Sequence, residues 1–255
     1  MRDSFDLTGR TALVTGSSRG IGLVLAGGLA AAGAAVVLHG RDEDALAAAR
    51  AQLVAGGAHR VTTSRFDVRD AAEVAAAVAA LEQDSGGIDI LVNNAGIQRR
   101  APFLEFRRED WDELVAVNLT GAFVVGQQVA RGMAARGSGK IINLGSVQSA
   151  LGRPGIAPYA ATKGGIAMLT RGMCADLAPQ GICVNALAPG YIDTELTRAL
   201  VEDETFSAWV SSRTPAGRWG RVEDLVGTAV FLASPASDFV HGQIIYVDGG
   251  MTAVV

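Results

Sequence analysis

Two kinds of segment alternate along the chain: short apolar runs rich in β-branched residues, and longer alanine-rich stretches with an amphipathic pattern. The short runs are Thr11 to Val14, Ala35 to Leu38, Val61 to Phe66, Ile88 to Val92, Lys140 to Leu144, Ile182 to Ala186 and Gln243 to Val247. The longer stretches predict helices over Ile21 to Ala32, Asp44 to Ala55, Ala71 to Asp84, Glu109 to Arg136, Pro158 to Leu177 and Val222 to Ala233. Their alanine content reflects helix propensity and close packing rather than low complexity. Seven strands separated by helices read as βαβ units, so the expected fold class is α/β, a doubly wound, seven-stranded parallel sheet with helices on both faces. Thr194 to Arg213 predicts an additional helical excursion over the carboxyl edge of the sheet, and so a candidate lid near residues 194–213.

The first strand runs directly into Thr15-Gly16-Ser17-Ser18-Arg19-Gly20-Ile21-Gly22. Glycines allow a sharp turn and close approach of a pyrophosphate, whose charge then rests on the amino end of the next helix. The Gly-x-x-x-Gly-x-Gly spacing is a variant of the dinucleotide fingerprint. Gly16, Ser18, Arg19, Gly20, Ile21 and Gly22 are therefore candidate cofactor contacts, and the sheet is expected to be Rossmann-type. At the end of the second strand, His39-Gly40-Arg41 puts glycine where a ribose-binding carboxylate is sought. Arg41 and Arg19 instead offer forked donors to a 2′-phosphate, so the expected cofactor is NADP, with NAD as the alternative. Asp42 reads as a helix cap, and Asp67-Val68 as either an adenine contact or a turn.

At 255 residues, with no Pro- or Ser-rich linker, the chain is expected to form a single domain over 1–255. A net charge of −4 without any Lys/Arg run argues against a nucleic-acid partner. No apolar run long enough for a membrane span or a signal peptide is present, which predicts no membrane partner and a cytoplasmic location. Cys174 and Cys183 lack metal-ligand or disulfide-motif spacing, and His39, His59 and His241 are scattered, so no metal centre is expected.

Of only two lysines, Lys140 and Lys163, the second follows Tyr159 by four residues. One helical turn puts phenol and ammonium on the same face, a pairing suited to proton transfer, although a surface pair has the same spacing. Together with Thr15-Gly16-x-x-x-Gly20-x-Gly22, Asn93-Asn94-Ala95-Gly96, Asn118, Ser146 and Pro189-Gly190, the Tyr159-x-x-x-Lys163 motif resembles the short-chain dehydrogenase/reductase family over essentially the full length.

The resemblance implies a cofactor half over about 1–145 and a catalytic and substrate half over about 146–255. It implies Tyr159 as general acid or base, Lys163 beside it and on the nicotinamide ribose, Ser146 on the reacting oxygen, and Asn118 holding a water in a proton relay. Lowering a phenol by about three units takes about 4 kcal/mol. One cation about 4 Å away supplies that at an effective dielectric near 20. Asn94, Ala95 and Gly96 are implied to run beside the cofactor, and Pro189, Gly190, Ile192 and Thr194 to border its nicotinamide. The two long helices resemble the family's dimer faces, which implies a homotetramer.

A finer resemblance, to the branch of that family interconverting D-gluconate and 5-keto-D-gluconate, rests on five stretches. They are Asn93 to Arg100, Gln148-Ser149 with Leu151-Gly152-Arg153, Leu169 to Cys174, Arg213 to Ala216 with Arg218-Trp219-Gly220, and Tyr246 to Met251. Ala150 stands where an acidic residue is expected. A small sugar-acid substrate is implied, with Arg99, Arg100 and Arg153 as candidate carboxylate ligands, Gln148 as a hydroxyl ligand, and Ser146 and Tyr159 at the carbonyl. Other substrates compatible with the chemistry are another sugar acid, a polyol or a 3-oxoacyl thioester. A dinucleotide sensor without turnover is the non-enzymatic alternative, disfavoured by the complete Asn118, Ser146, Tyr159 and Lys163 set.

Overall fold

The structure, a computed structural model, describes residues 2–254. Its strands are β1 (Thr11–Val14), β2 (Ala35–Gly40), β3 (Val61–Arg65), β4 (Ile90–Asn93), β5 (Gly139–Leu144), β6 (Ile182–Pro189) and β7 (Ile244–Val247). The helices are α1 (Gly20–Ala31), α2 (Glu43–Ala55), α3 (Ala71–Ser85), α4 (Arg108–Val115), α5 (Gly121–Arg136), α6 (Ala157–Leu177), α7 (Arg198–Val201), α8 (Glu204–Arg213) and α9 (Val226–Ala233). Strands pair in the order β3-β2-β1-β4-β5-β6-β7, and every pairing is parallel. This is the expected Rossmann-type sheet. Strand order reverses between β1 and β4, which opens a crevice at their carboxyl ends.

Every residue of β1, β4 and β6 is buried, because helices cover both faces. One apolar cluster joins Leu25, Leu29, Val36, Ile90 and Leu232; the other joins Phe66, Val78, Leu91, Val125 and Met133 on the opposite face. A buried polar chain also fixes α6 on the sheet. Asn93 Nδ2 donates to Asn143 Oδ1 at 2.9 Å, and Asn143 Nδ2 donates to Thr170 Oγ1 at 3.0 Å. Although Asn93 Oδ1 is left without a partner among the described residues, the donors of this chain are all used, which favours one docking of the helix.

Three expected elements are more broken than their patterns suggest. The helix predicted over Glu109 to Arg136 is α4 and α5 joined by a π-turn at Ala116–Thr120, a single-turn widening of the kind often found at functional sites. The lid predicted as one segment is a 3-10 turn at Glu195–Thr197 followed by α7 and α8. Asp203 restarts the chain by accepting from the Phe206 N–H at 3.0 Å. The stretch from Val222 opens as a 3-10 turn before α9. Periodicity persists through each break, so it does not report the change of winding.

Candidate active site

The loop from β1 to α1 lies in the crevice and is pinned by its neighbour, β4. Thr15 Oγ1 accepts from the N–H groups of Asn94 and Ala95, both at 3.0 Å, while Asn94 Nδ2 donates to Thr15 O at 2.8 Å and Gly16 O at 2.9 Å. Gly16 has φ +63°, and a Cβ there would meet the Ala95 backbone at 2.8 Å, so glycine is required twice over. Asp42 and Asp70 cap α2 and α3 with their carboxylates. By contrast, α1 starts after Arg19 with no side-chain cap and no acidic residue in its first turn. Its first N–H groups and the positive end of its dipole are thus suited to phosphate. Gly16, Ser18, Arg19, Gly20, Ile21 and Gly22 all belong to this turn.

β2 ends at Gly40, where a Cβ would find Leu46 at 3.5 Å and Ser18 Oγ at 3.6 Å, an ordinary fit. Glycine there is not forced by space. The neighbouring Arg41 is largely exposed and 3.7 Å from Asp67. The Asp67 carboxylate is already held by Arg69, whose guanidinium is the chief cause of its fall to about 2. With Val68 buried in the core, what this turn can offer an adenine is its backbone. Arg19 is exposed and 4.0 Å from Glu195, in the 3-10 turn before α7. Two exposed guanidiniums and no carboxylate at the end of β2 fit a cofactor carrying a 2′-phosphate.

On the other side of the crevice, α6 carries Tyr159 and Lys163 one turn apart. Lys163 is buried, its Nζ donates to Leu144 O at 2.6 Å, and it lies 5.7 Å from the Tyr159 ring centre. Burial lowers its pKa to about 8. Ser146 follows β5 and is buried, with its Oγ accepting from the Gln148 N–H at 3.2 Å. The Tyr159 phenol is pushed up from its ordinary value, chiefly by burial, against the opposing pull of Ser146 and Arg100. This differs from the expected lowering by Lys163. The ammonium lies over the ring and serves a carbonyl, so loss of hydration dominates at the phenol.

Asn118 is buried inside the π-turn. Its Oδ1 accepts from the Ile97 N–H at 2.8 Å and its Nδ2 donates to Ile97 O at 3.0 Å. The side chain therefore clamps the loop running from Asn94 through Gly96. At the end of β6, Pro189 and Gly190 are followed by buried Ile192, and Thr194 precedes the 3-10 turn at Glu195–Thr197.

The candidate substrate residues separate into two groups. Arg99 is committed to Glu113 at 2.7 Å and Asp110 at 3.6 Å. Arg100 instead faces Arg153 and the phenols of Tyr159 and Tyr191, Arg153 faces Tyr191, and partial burial of Arg100 lowers its pKa. Among the described residues, Arg153 Nε and the Oε1 of Gln148 are buried without a partner.

Beyond them stands an aromatic wall that composition did not reveal. Tyr191 packs edge-on against Phe206, Trp209 and Trp219 at 5.7 to 5.8 Å, and the Arg153 guanidinium sits 5.3 Å from the centre of Phe206. Trp219 Nε1 donates to Ser207 Oγ at 2.9 Å, fastening α8 to this wall. Tyr191 and His39 are the site-bordering residues the sequence reading passed over. Their adjacency to Pro189-Gly190 and to Gly40-Arg41 was the available signal.

The chain matches the family described as enoyl-(acyl carrier protein) reductase over residues 16–252. It is 58% identical over 250 residues to a gluconate 5-dehydrogenase of Gluconobacter oxydans, covering 98% of this chain and 97% of that protein. It is 51% identical over 259 residues to a 5-keto-D-gluconate 5-reductase of Escherichia coli K12, covering 100% of both. Among solved structures, it superposes with a TM-score of 0.97 on a gluconate 5-dehydrogenase from Burkholderia cenocepacia J2315 in complex with NADP and tartrate. That protein is 59% identical, with 100% of this chain and 99% of the other covered.

Proposed function

The chain belongs to the short-chain dehydrogenase/reductase family, and we propose that it interconverts D-gluconate and 5-keto-D-gluconate with NADP as the hydride carrier. The observation that carries the substrate class is the pair of guanidiniums at Arg100 and Arg153, which bear on Tyr159 and Tyr191 while Arg99 is neutralised by acids. An anion is the ligand such a pair favours. The tartrate carried by the Burkholderia cenocepacia relative and the gluconate activities named for the other two support this choice.

Bound NADP supplies or removes the hydride at the substrate carbon; the protein manages the proton and the geometry. In ketone reduction the Tyr159 hydroxyl donates its proton to the carbonyl oxygen, and in alcohol oxidation the phenolate takes it back. Ser146 donates a hydrogen bond to the same oxygen, stabilising charge as it develops. Lys163 would hold the nicotinamide ribose, while Ser146 and Arg100 are the groups that favour the phenolate against its burial. Asn118 keeps the Asn94 to Gly96 loop against the cofactor, supported by its two bonds to Ile97.

Gly16 would make the tight turn beneath the pyrophosphate, Ser18, Arg19, Gly20, Ile21 and Gly22 would hold it, Arg41 would meet the 2′-phosphate, and the Asp67-Val68 turn the adenine. Pro189, Gly190, Ile192 and Thr194 border the nicotinamide. Arg100 and Arg153 take the carboxylate at the far end of the sugar acid, and Gln148 Oε1 accepts from a hydroxyl. α7 and α8 form the lid, which the Arg153 contact with Phe206 couples to the substrate.

The groove between α5 and α6, lined by Phe123, Gly126, Ala130, Met173 and Leu177, supports a homotetramer built across these helices. The free thiols of Cys174 and Cys183 support a reducing, cytoplasmic setting. Steady-state rates with NADPH on 5-ketogluconate, an uncharged ketose and a 3-oxoacyl thioester test the assignment. It stands if kcat/KM is highest on the sugar acid and falls if the thioester or ketose equals it.

A further inference from the structure

We propose that His39 is a positioning residue that presets the adenosine half of the NADP site by tying three of its loops together through one neutral imidazole. The ring is buried, only 2% exposed, at the carboxyl end of β2. The Gly16 N–H donates to Nδ1 at 3.0 Å, which leaves the ring proton on Nε2, and Nε2 faces Phe66 O at 3.0 Å. The side chain thus bridges the loop after β1 to the end of β3, with its ring 3.9 Å from that of Phe66. Its backbone doubles the tie: the His39 N–H donates to Ser17 Oγ at 3.0 Å, and the Ser17 N–H donates to His39 O at 2.9 Å.

Two consequences follow for cofactor recognition. Gly16 spends its N–H inward on His39, so the phosphate-facing donors are the later N–H groups leading into α1. The turn bearing Arg41 follows His39 directly, and the turn bearing Asp67 follows Phe66 directly. One ring therefore sets the spacing between the pyrophosphate turn and both adenosine turns. Neutral imidazole suits this task because it carries one acceptor and one donor on separate edges of a rigid plane.

Protonation would set an N–H against the Gly16 N–H and break the tie. Burial opposes it, lowering the ring to about 4; of the charges facing it, Asp67 beyond β3 works against that shift and Arg41 beyond β2 works with it. The loop is thereby protected from titration near neutral pH.

The test compares His39→Leu and His39→Gln with a control at Asn185. That residue is an equally buried tie on β6, donating to Val240 O at 2.6 Å and accepting from the Gln243 N–H at 3.0 Å. His39→Leu is expected to raise the calorimetric Kd for NADP and the KM for NADPH by about tenfold or more, with kcat at saturating cofactor within about twofold of wild type. His39→Gln, which keeps a donor and an acceptor, should recover part of the loss. Asn185→Ala should lower the melting temperature without moving either constant.

In ring 15N–1H spectra of the wild type, His39 should show the Nε2–H tautomer and no titration between about pH 8 and pH 5. A folded His39→Leu protein that binds NADP within about twofold of wild type overturns the proposal, as does a His39 ring that titrates near its ordinary value. Should His39→Leu fail to fold, His39→Gln and the wild-type spectrum decide.

Discussion

The two sides of the crevice leave the same sheet edge but finish their polar groups differently. On the cofactor side, Thr15 and Asn94 answer each other's donors and acceptors, His39 takes up the Gly16 N–H and faces Phe66 O, and these bonds tie the loops to the protein itself. On the substrate side, Gln148 Oε1 and Arg153 Nε are buried without a partner among the described residues, and Arg100 and Arg153 share a space that lacks a neutralising acid. Buried polar groups are normally paired; Asn93 Oδ1 and His241 Nδ1 are also left over elsewhere, but the two orphans beside Tyr191 are the ones a substrate could meet. On the proposed assignment, the difference is that the cofactor turns are held by the fold's own bonds, whereas the substrate pocket keeps donors and acceptors for its ligand.

The sharpest way to separate the two sides is to disable the chemistry without touching the cofactor loops. Tyr159→Phe should lower kcat by at least about a hundredfold while leaving the Kd for NADP near its wild-type value. Lys163→Arg should fail as well, because a planar guanidinium does not fit the buried space in which Nζ reaches Leu144 O. Stopped-flow or steady-state turnover measured beside NADP calorimetry checks both. Substantial activity in Tyr159→Phe would move the proton-transfer role elsewhere.

Removing the orphaned cations tests the other half of the comparison. Arg100→Met or Arg153→Met should cost about 2–4 kcal/mol in kcat/KM on 5-ketogluconate. The uncharged ketose should be far less affected. Equal losses on both substrates would mean that these residues shape the lid or pocket rather than anchor a carboxylate. For Arg153 this distinction is real, since its guanidinium also packs over Phe206.

The contrast between the two sides also explains what could be read beforehand. The sheet and the cofactor turn were legible because they rest on local, repeated signals: apolar runs four to eight residues long, and glycines whose positions are dictated by backbone geometry. Tyr159 and Lys163 were legible because helical spacing brings them together. What pairing a side chain makes was not legible. Arg99 and Arg100 are adjacent and chemically identical, and only the fold brings Asp110 and Glu113 to the first. His39 looked like a scattered histidine because its partners, Gly16 and Phe66, offer backbone groups that leave no mark in a sequence.

A smaller effect is expected at the cofactor's phosphate. The 2′-phosphate reading depends on Gly40 and Arg41, and the open space at Gly40 means an added carboxylate disturbs little else. Gly40→Asp combined with Arg41→Ala should shift the kcat/KM ratio for the two cofactors towards NAD by at least about tenfold. A wild type that already prefers NAD, or a variant whose ratio does not move, would take Arg41 out of cofactor choice and leave only the pyrophosphate turn as a fixed contact.

Arg99 should give the smallest effect, and its smallness is informative. It lies beside Arg100 in the sequence, so a general loss of positive charge near the site would weaken sugar-acid turnover in both variants alike. Its charge, however, is already met by Glu113 and Asp110 on α4 at a largely solvated position. Exposed pairs of this kind contribute about 0–1 kcal/mol, so Arg99→Ala should lower stability to chemical denaturation by no more than that. On 5-ketogluconate its kcat/KM should stay within about twofold of wild type, since the neutralised guanidinium adds little attraction for a distant carboxylate. A loss as large as that of Arg153→Met would show that Arg99 breaks its acid pairs to meet the substrate. The boundary drawn here between committed and orphaned cations would then have to be redrawn at α4.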